Sequence, residues 1–371
     1  MAKVTVALSG GVDSSVAAAL LQEQGHQVEG VFMKNWSPES IQGLTDCPWE
    51  QDQADAAAVC AHLGIPFRSI NFEREYRDKV VQYFLDEYQA GHTPNPDVMC
   101  NKEIKFTAFL SAARSFGAEY IATGHYAQVR KDGGQFQLWR GNDPKKDQSY
   151  FLYTLTQDQL SQTLFPVGGM AKPAVRLEAE RFGLPTAKKK DSQGICFIGH
   201  LDLRRFLQEH LQANVGEVRL LPHYDGVIPF GGRLAASQVI GRHGGGIFYT
   251  IGQRVGEAVD NGLYRLVRGR DVPPLYVLEK QGNELYVTDD SFDPHFVACE
   301  VVVDAWSTPL PVGKKMFCQA RYQQKPIPVT SVEGTVVLAE DLRCVALGQA
   351  LVMYSPDGQV YGGGTVVEVR H

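Results

Sequence analysis

Three short strings hold the residue types best suited to chemistry. Residues 8–15 read Leu-Ser-Gly-Gly-Val-Asp-Ser-Ser. Gly10 and Gly11 let the backbone curl so that N–H groups point inward. Ser9, Ser14 and Ser15 add hydroxyl donors, and the N-terminus of a following helix adds partial positive charge. Such a loop cradles a phosphate or pyrophosphate. It is not a Walker A loop, because the GK[ST] ending is missing, and it is not GxGxxG. A glycine turn with a Ser/Asp helix cap is the plain alternative, but the full string at a first strand–helix junction favours the phosphate reading. Residues 92–105 (HTPNPDVMCNKEIK) and 191–199 (DSQGICFIG) each set one cysteine, Cys100 and Cys196, in a polar segment bearing Gly or Pro. These segments read as loops, where reactive groups are displayed. A reactive thiolate needs an electropositive, accessible setting. Lys102 and Lys105 flank Cys100, and Lys188–Lys190 precede Cys196.

The other cysteines sit in blander surroundings. Cys60 in AAAVCAHL reads as helix core, Cys299, Cys318 and Cys344 fit strands, and Cys47 lies in a TDCPW loop. Seven cysteines with no CxxC give no support to a sequence-local zinc or iron–sulfur site or to a secreted disulfide scaffold. No metal ligands are therefore assigned, and a reducing cytoplasm is the expected setting. Net charge is −6, but it is uneven: residues 1–91 carry 6 Lys/Arg against 13 Asp/Glu, and the remainder carries 30 against 29. Local basic surfaces, and hence a nucleic-acid partner, stay open. No uninterrupted apolar run reaches the ~18 residues of a membrane span, and Met-Ala-Lys leads straight into a strand-like VTVAL with no signal-like h-region.

The elements that must position these groups follow from periodicity. VTVALS, VEGVFMKN and the stretch around FRSINF read as strands. SSVAAALLQEQG, residues 50–63, REYRDKVVQYFLDEY and residues 103–116 read as helices, and EYIATGHYA runs from strand to loop. This alternation predicts an α/β domain with a parallel sheet, and the phosphate loop at its carboxyl edge. After about residue 205 helical periodicity fades. LYVLEK and ELYVTDD straddle a Gln-Gly-Asn turn as a hairpin, and short alternating strands from 295 onward predict a small closed barrel or sandwich. Three domains are expected: 1–205, 206–290 (small and mostly β) and 291–371 (a C-terminal β-barrel).

The string SGGVDSS resembles the signature of the PP-loop ATP pyrophosphatases, with their adenine nucleotide α-hydrolase-like fold. SGGVDSSV, VEGVFMKNW, TPNPDVMCNKEIKF, ATGHYA, KDQSYFLY, DSQGICFIG, YTIGQR and a late ARY together resemble, in order and over nearly the whole chain, the tRNA-specific 2-thiouridylase family. The sequence departs from that pattern in the middle, where YTIGQRVGEAVDNG replaces a glycine-rich continuation and residues 226–246 look long.

The resemblance implies an ATP-dependent sulfurtransferase that makes 2-thiouridine at the wobble uridine, U34, of the tRNAs for Lys, Glu and Gln. ATP adenylates the C2 carbonyl oxygen, and AMP leaves as sulfur enters. Ala7, Leu8, Ser9, Gly10, Gly11, Val12, Asp13 and Ser14 would hold the phosphates with Mg²⁺, and Met33 and Gly124 the adenosine. Cys196 would carry a persulfide from a cysteine desulfurase or sulfur-relay protein, and Cys100 would act beside the base. Either Cys100 releases sulfide or the persulfide attacks directly; both routes end in a Cys100–Cys196 disulfide. Asp97 would serve as acid/base, or simply form a turn after Pro96. Asn95, Pro96 and Asp97 would approach the extruded base. Lys146, Asp147 and Gln148 would grip the anticodon stem-loop, with Arg321 and Tyr322 in a barrel strand supplying a guanidinium and a ring. An amide ligase of the GMP or NAD synthetase type is the competing reading. It would need an ammonia source, which is not evident, and has no use for two loop cysteines.

Overall fold

The computed structural model describes residues 1–37, 49–190, 203–255, 259–260, 273–332 and 335–371. Strands β1 (Lys3–Leu8), β2 (Gln27–Lys34), β3 (Phe67–Asn71) and β4 (Tyr120–Ala122) alternate with helices, among them α1 (Val12–Glu23) and α2 (Trp49–Leu63). A hairpin, β5 (Ala127–Asp132) and β6 (Gln135–Arg140), precedes β7 (Thr163–Leu164). The first sheet runs β3-β2-β1-β4-β7 and is parallel throughout. Val4, Val6 and Leu8 of β1 pack with Leu21, Phe32 and Cys60, and Ala7 enters a separate cluster with Val31 and Met33, so β1 is covered on both faces. Close packing fixes Gly30 on β2: a Cβ there would overlap Cys60 Sγ of α2 and fall 2.6 Å from Leu8 Cδ1 of β1. Gly25, with φ of 84°, ends α1.

The segment around Cys100 differs from its expected loop. Pro96–Met99, Cys100–Ala108 and Phe109–Ser115 run on as one helical stretch, the middle nine residues in the wider π-type winding. The Asn95 side chain accepts from the Val98 N–H at 3.3 Å, and Pro96 occupies the first turn, where its missing N–H costs nothing.

The middle region is a mainly antiparallel sheet: β8 (Gly216–Leu220), β9 (Gln238–His243), β10 (Arg254–Val255), β11 (Val259–Asp260), β12 (Leu275–Gln281) and β13 (Glu284–Thr288), ordered β10-β12-β13-β8-β9-β11. The expected hairpin is β12–β13, turning at Gly282. The C-terminal strands are β14 (Val297–Asp304), β15 (Met316–Gln319), β16 (Ile327–Val332), β17 (Thr335–Arg343), β18 (Ala350–Tyr354) and β19 (Gln359–Arg370). β14 pairs with both β17 and β19 and closes a six-stranded barrel. The barrel sheet then extends into the first region, because β19 also pairs with β6 through Gln359↔Trp139 and Val360↔Leu138. Among the described residues, no helix is long and apolar enough to cross a membrane.

Candidate functional site

The loop of residues 8–15 joins β1 to the first turn of α1. Gly10 holds φ of 71°, and the Asp52 backbone occupies the space a Cβ would need. Both facts select glycine. Ser9 N–H donates to Ser14 Oγ at 3.2 Å, and the two hydroxyls lie 3.3 Å apart. Ser15 donates to the Gly11 carbonyl at 2.7 Å. No side chain caps α1, so its first turn presents backbone N–H groups to an anion. Gly124, in the loop after β4, lies against this turn: a Cβ there would approach Ser14 N at 2.6 Å. Met33 sits near the carboxyl end of β2, next to β1, with its side chain in the core. An uncapped helix start, a left-handed glycine and converging hydroxyls fit the phosphates of ATP.

Sequence reasoning missed what holds Asp13. Tyr126 O–H donates to its Oδ1 at 2.8 Å, and Lys172 Nζ lies 2.7 and 2.9 Å from its two oxygens. Tyr126 stands inside the ATGHYA string, but no local pattern joins it to Asp13, 113 positions away. Lys172 opens the helix Lys172–Arg181, and a basic residue beside Pro173 at a helix start is the only signal it leaves. Lys189, in the lysine run that precedes Cys196, binds Asp52 and Asp55 at 2.7 and 2.5 Å. Burial opposes its charge, but these carboxylates outweigh that and hold its pKa above the usual lysine range.

Cys100 is fully buried, which corrects the accessible loop position. Its helix faces the core, and neighbours Ile104 and Phe106 are equally buried. Lys105, expected to flank the thiol at the surface, is buried too, and its Nζ lies 3.4 Å from His125 Nε2. Burial, then the Lys105 ammonium, drives the His125 pKa well below its usual value. Neutral His125 is thus placed between Lys105 and the Thr123 hydroxyl, 2.7 Å from Nδ1. Asp97 lies in the same first helical turn as Pro96. Cys196 and Cys47 lie outside the described residues. Cys60 and Cys318 are buried as expected, with thiol pKa values pushed up by burial to about 11 and about 12. Cys299 is exposed on β14, and Cys344 occupies a left-handed turn after β17 in place of a strand, with φ of 56°.

The structure brings two of the RNA candidate segments, residues 146–148 and 321–322, together. Arg321 and Tyr322 lie in the turn after β15, not in the strand, because the chain reverses there through Gln323 at φ of 62°. Gln323 Nε2 donates to the Lys145 carbonyl at 3.1 Å, so this turn abuts the Lys146–Gln148 turn. Tyr322 packs on Phe151, ring centroids 4.7 Å apart. Arg321 donates to the carbonyls of Cys344 and Ile251. Asp147 accepts from the Gly141 and Ser149 N–H groups at 2.9 and 3.1 Å, and burial raises its pKa. The Gln148 side chain accepts from Tyr126 N–H at 3.0 Å. Asp147 and Gln148 thus spend these acceptors on backbone N–H groups, the Gln148 bond tying the turn to Tyr126.

A cavity of about 290 Å³ lies where the three regions meet, lined by Thr93, residues 250–253, Arg321 and Gln349. Thr93 and Thr250 hydroxyls are 3.1 Å apart there, and Gln349 donates to the Thr93 carbonyl at 2.7 Å. Lys280 ties the Gly91 and Tyr249 carbonyls at 2.7 and 2.9 Å, and burial lowers its pKa to about 8. The segment leading to Asn95 is therefore held by the middle sheet and the barrel together.

Three family descriptions match in succession: a tRNA methyl transferase HUP domain over residues 2–200, a tRNA methyl transferase PRC-barrel domain over 204–289, and an aminomethyltransferase beta-barrel domain over 305–366. The fold and the loop define a nucleotide-binding enzyme of the HUP class. Relatives described as tRNA-specific 2-thiouridylase MnmA share its whole length. That of Listeria monocytogenes serotype 4b is 45% identical, covering 98% of this chain and 94% of the relative. That of Halalkalibacterium halodurans is 46% identical, covering 99% and 95%. That of Lactococcus lactis subsp. cremoris is 45% identical, covering 100% and 95%. The chain belongs to the tRNA-specific 2-thiouridylase family.

Proposed function

We propose that this member of the family divides its reaction between the phosphate loop, the Cys100 helix and a tRNA surface built from all three regions. The activity is the formation of 2-thiouridine in tRNA, driven by ATP. The observation that carries the division of labour is the junction itself. One network joins the loop at Asp13, through Tyr126, to the Gln148 turn, and that turn abuts Arg321 and Tyr322.

Residues Ala7–Ser14 bind the phosphates, with Mg²⁺ accompanying them, and Met33 and Gly124 flank the adenosine. ATP supplies an adenylyl group that turns the C2 oxygen of uridine into a leaving group. Helix α1 presents N–H groups to the charge that is transferred. Asn95, Pro96 and Asp97 meet the extruded base at the start of the Cys100 helix, with Asp97 moving the proton. Cys196 delivers persulfide sulfur received from a desulfurase or relay protein, and Cys100 completes the transfer as its partner thiol. Since Cys100 is buried, substrate binding opens its surroundings before it reacts. Lys146 and Arg321 contact phosphates of the anticodon stem-loop. Asp147 and Gln148 hold the turn that displays Lys146, and Tyr322 offers its ring beside Phe151. The substrates are the wobble uridines of the Lys, Glu and Gln tRNAs, and the setting is the cytoplasm.

The test is to incubate the full chain with ATP, a sulfide source or desulfurase, and unmodified tRNA of each kind, then digest the RNA. Thiouridine at position 34 in those three tRNAs supports the reading. Thiouridine elsewhere, or none with both sulfur sources, refutes it.

A further inference from the structure

The loop of residues 8–15 contains an acid, Asp13, and no lysine or arginine. A Walker loop carries its own lysine to the β- and γ-phosphates. Here a triphosphate would meet backbone N–H groups and hydroxyls beside a carboxylate, which disfavours a second anion. The missing cation is supplied from far along the chain. Lys172 reaches Asp13 across 159 positions and engages both carboxylate oxygens, with its side chain only 13% exposed.

Its placement is built, not incidental. The Lys172 N–H donates to Asp143 Oδ2 at 2.9 Å, and that bond is the main cause holding the Asp143 pKa below its usual range. The Lys145 N–H donates to the other Asp143 oxygen at 2.9 Å. Lys172 begins its helix, whose later residues Val175 and Ala179 pack with Val12 and Val16 of α1. The ammonium is thereby carried to the first turn of α1, where the phosphates are expected. Tyr126 independently holds Asp13 Oδ1, so the carboxylate keeps a partner if the lysine turns toward another anion.

We propose that Lys172 is an ATP-contacting residue, the cation of the cradle, whose ammonium is shared between Asp13 and the pyrophosphate end of the nucleotide. This rests on the reading of residues 7–14 as the ATP site. The competing role is a buttress for α1 that never touches nucleotide.

The two roles separate by ligand. Binding of ATP and of AMP to the full chain is measured without tRNA, for wild type, Lys172→Gln, Lys172→Met and Lys172→Arg. Glutamine keeps a donor for Asp13 while removing the charge, so it preserves the fold if methionine does not. The expected result for Lys172→Gln is a rise of about tenfold or more in the ATP dissociation constant, the size of one lost charge-assisted contact. AMP binding should change by less than about twofold on the same scale, because it lacks the pyrophosphate, and Lys172→Arg should recover most of the ATP affinity. Equal losses for ATP and AMP, or no loss of either, would overturn the proposal. A wild-type chain that binds neither nucleotide would instead overturn the ATP site itself.

Discussion

Arg233→Ala removes one half of an ion pair sealed inside the middle region. Arg233 is 1% exposed and Asp293 0%. The guanidinium donates to both Asp293 oxygens, at 3.1 and 2.6 Å, and twice to the Pro222 carbonyl, at 3.0 and 2.9 Å. Among the described residues, Asp293 then keeps the Thr288 hydroxyl at 3.3 Å and the His295 N–H at 3.0 Å. Alanine would strand a buried carboxylate, at a cost of about 3–5 kcal/mol, whereas replacing both partners by apolar residues is often neutral or stabilising by about 1–4 kcal/mol. Arg233→Ala should thus be far worse than the double variant Arg233→Met/Asp293→Leu. Burial raises the Asp293 pKa, but Arg233 and the His295 N–H outweigh it, so the folded value lies below the ordinary one. A depressed carboxylate stabilises fully above its unfolded pKa of about 3.9 and loses that contribution as pH falls through the folded value. The gap between wild type and Arg233→Ala should therefore narrow as pH falls, first as the stranded Asp293 carboxylate, which burial pushes up once Arg233 is gone, takes a proton, and last as wild type loses its pair in strong acid. A chain with several cores need not unfold in one step, so hydrogen exchange of residues 216–296 is the assay, with thermal melting beside it. An Arg233→Ala protein within about 0.5 kcal/mol of wild type, the range of an ordinary surface change, would refute the burial argument.

Cys100→Ser should abolish thiolation even where the folded protein survives, while Cys60→Ser and Cys318→Ser, at equally buried positions, should lower the melting temperature more than the turnover; single-turnover assays and melting curves on the three proteins decide it, and a Cys100→Ser enzyme with normal turnover would remove the thiol from the mechanism. Arg321→Ala should weaken tRNA binding and flatten its log–log salt dependence by roughly 0.7–0.9 for one lost phosphate contact. Filter binding at several salt concentrations tests this, and an unchanged slope means that the arginine only braces the Cys344 and Ile251 carbonyls.

The parallel sheet and the position of the phosphate loop are legible because each rests on local pattern: apolar strands, a Gly stop at Gly25, a glycine pair before an Ala-rich helix. The barrel strands were legible for the same reason, through period-two alternation. The Cys100 segment reads as a loop from its polarity and proline, but Asn95-Pro96 is equally the pattern of a capped helix start. Polarity cannot report burial when a lysine such as Lys105 finds its partner, His125, twenty positions on. Arg321 and Tyr322 were placed one step too far into regular structure, where an alternating pattern runs to its end without marking the turn.

The links between the motifs were beyond local pattern altogether. Asp13 meets Tyr126 and Lys172 across 113 and 159 positions of sequence, and β6 pairs with β19 of the barrel. Those links carry the functional argument. Asp143 and Gln148 flank the turn that displays Lys146, and each leads by one residue to the same carboxylate: Asp143 through Lys172, Gln148 through Tyr126. A tRNA that shifts this turn acts on both supports of Asp13 at once. Linkage then requires that ATP, by engaging Lys172, change tRNA affinity by the same factor as tRNA changes ATP affinity. Asp143→Ala, which cuts one arm at the Lys172 N–H, should reduce that shared factor in both directions. Measuring ATP binding with and without tRNA, and tRNA binding with and without ATP, gives the factor twice. A wild-type factor that survives Asp143→Ala intact would show that the two sites communicate by another route.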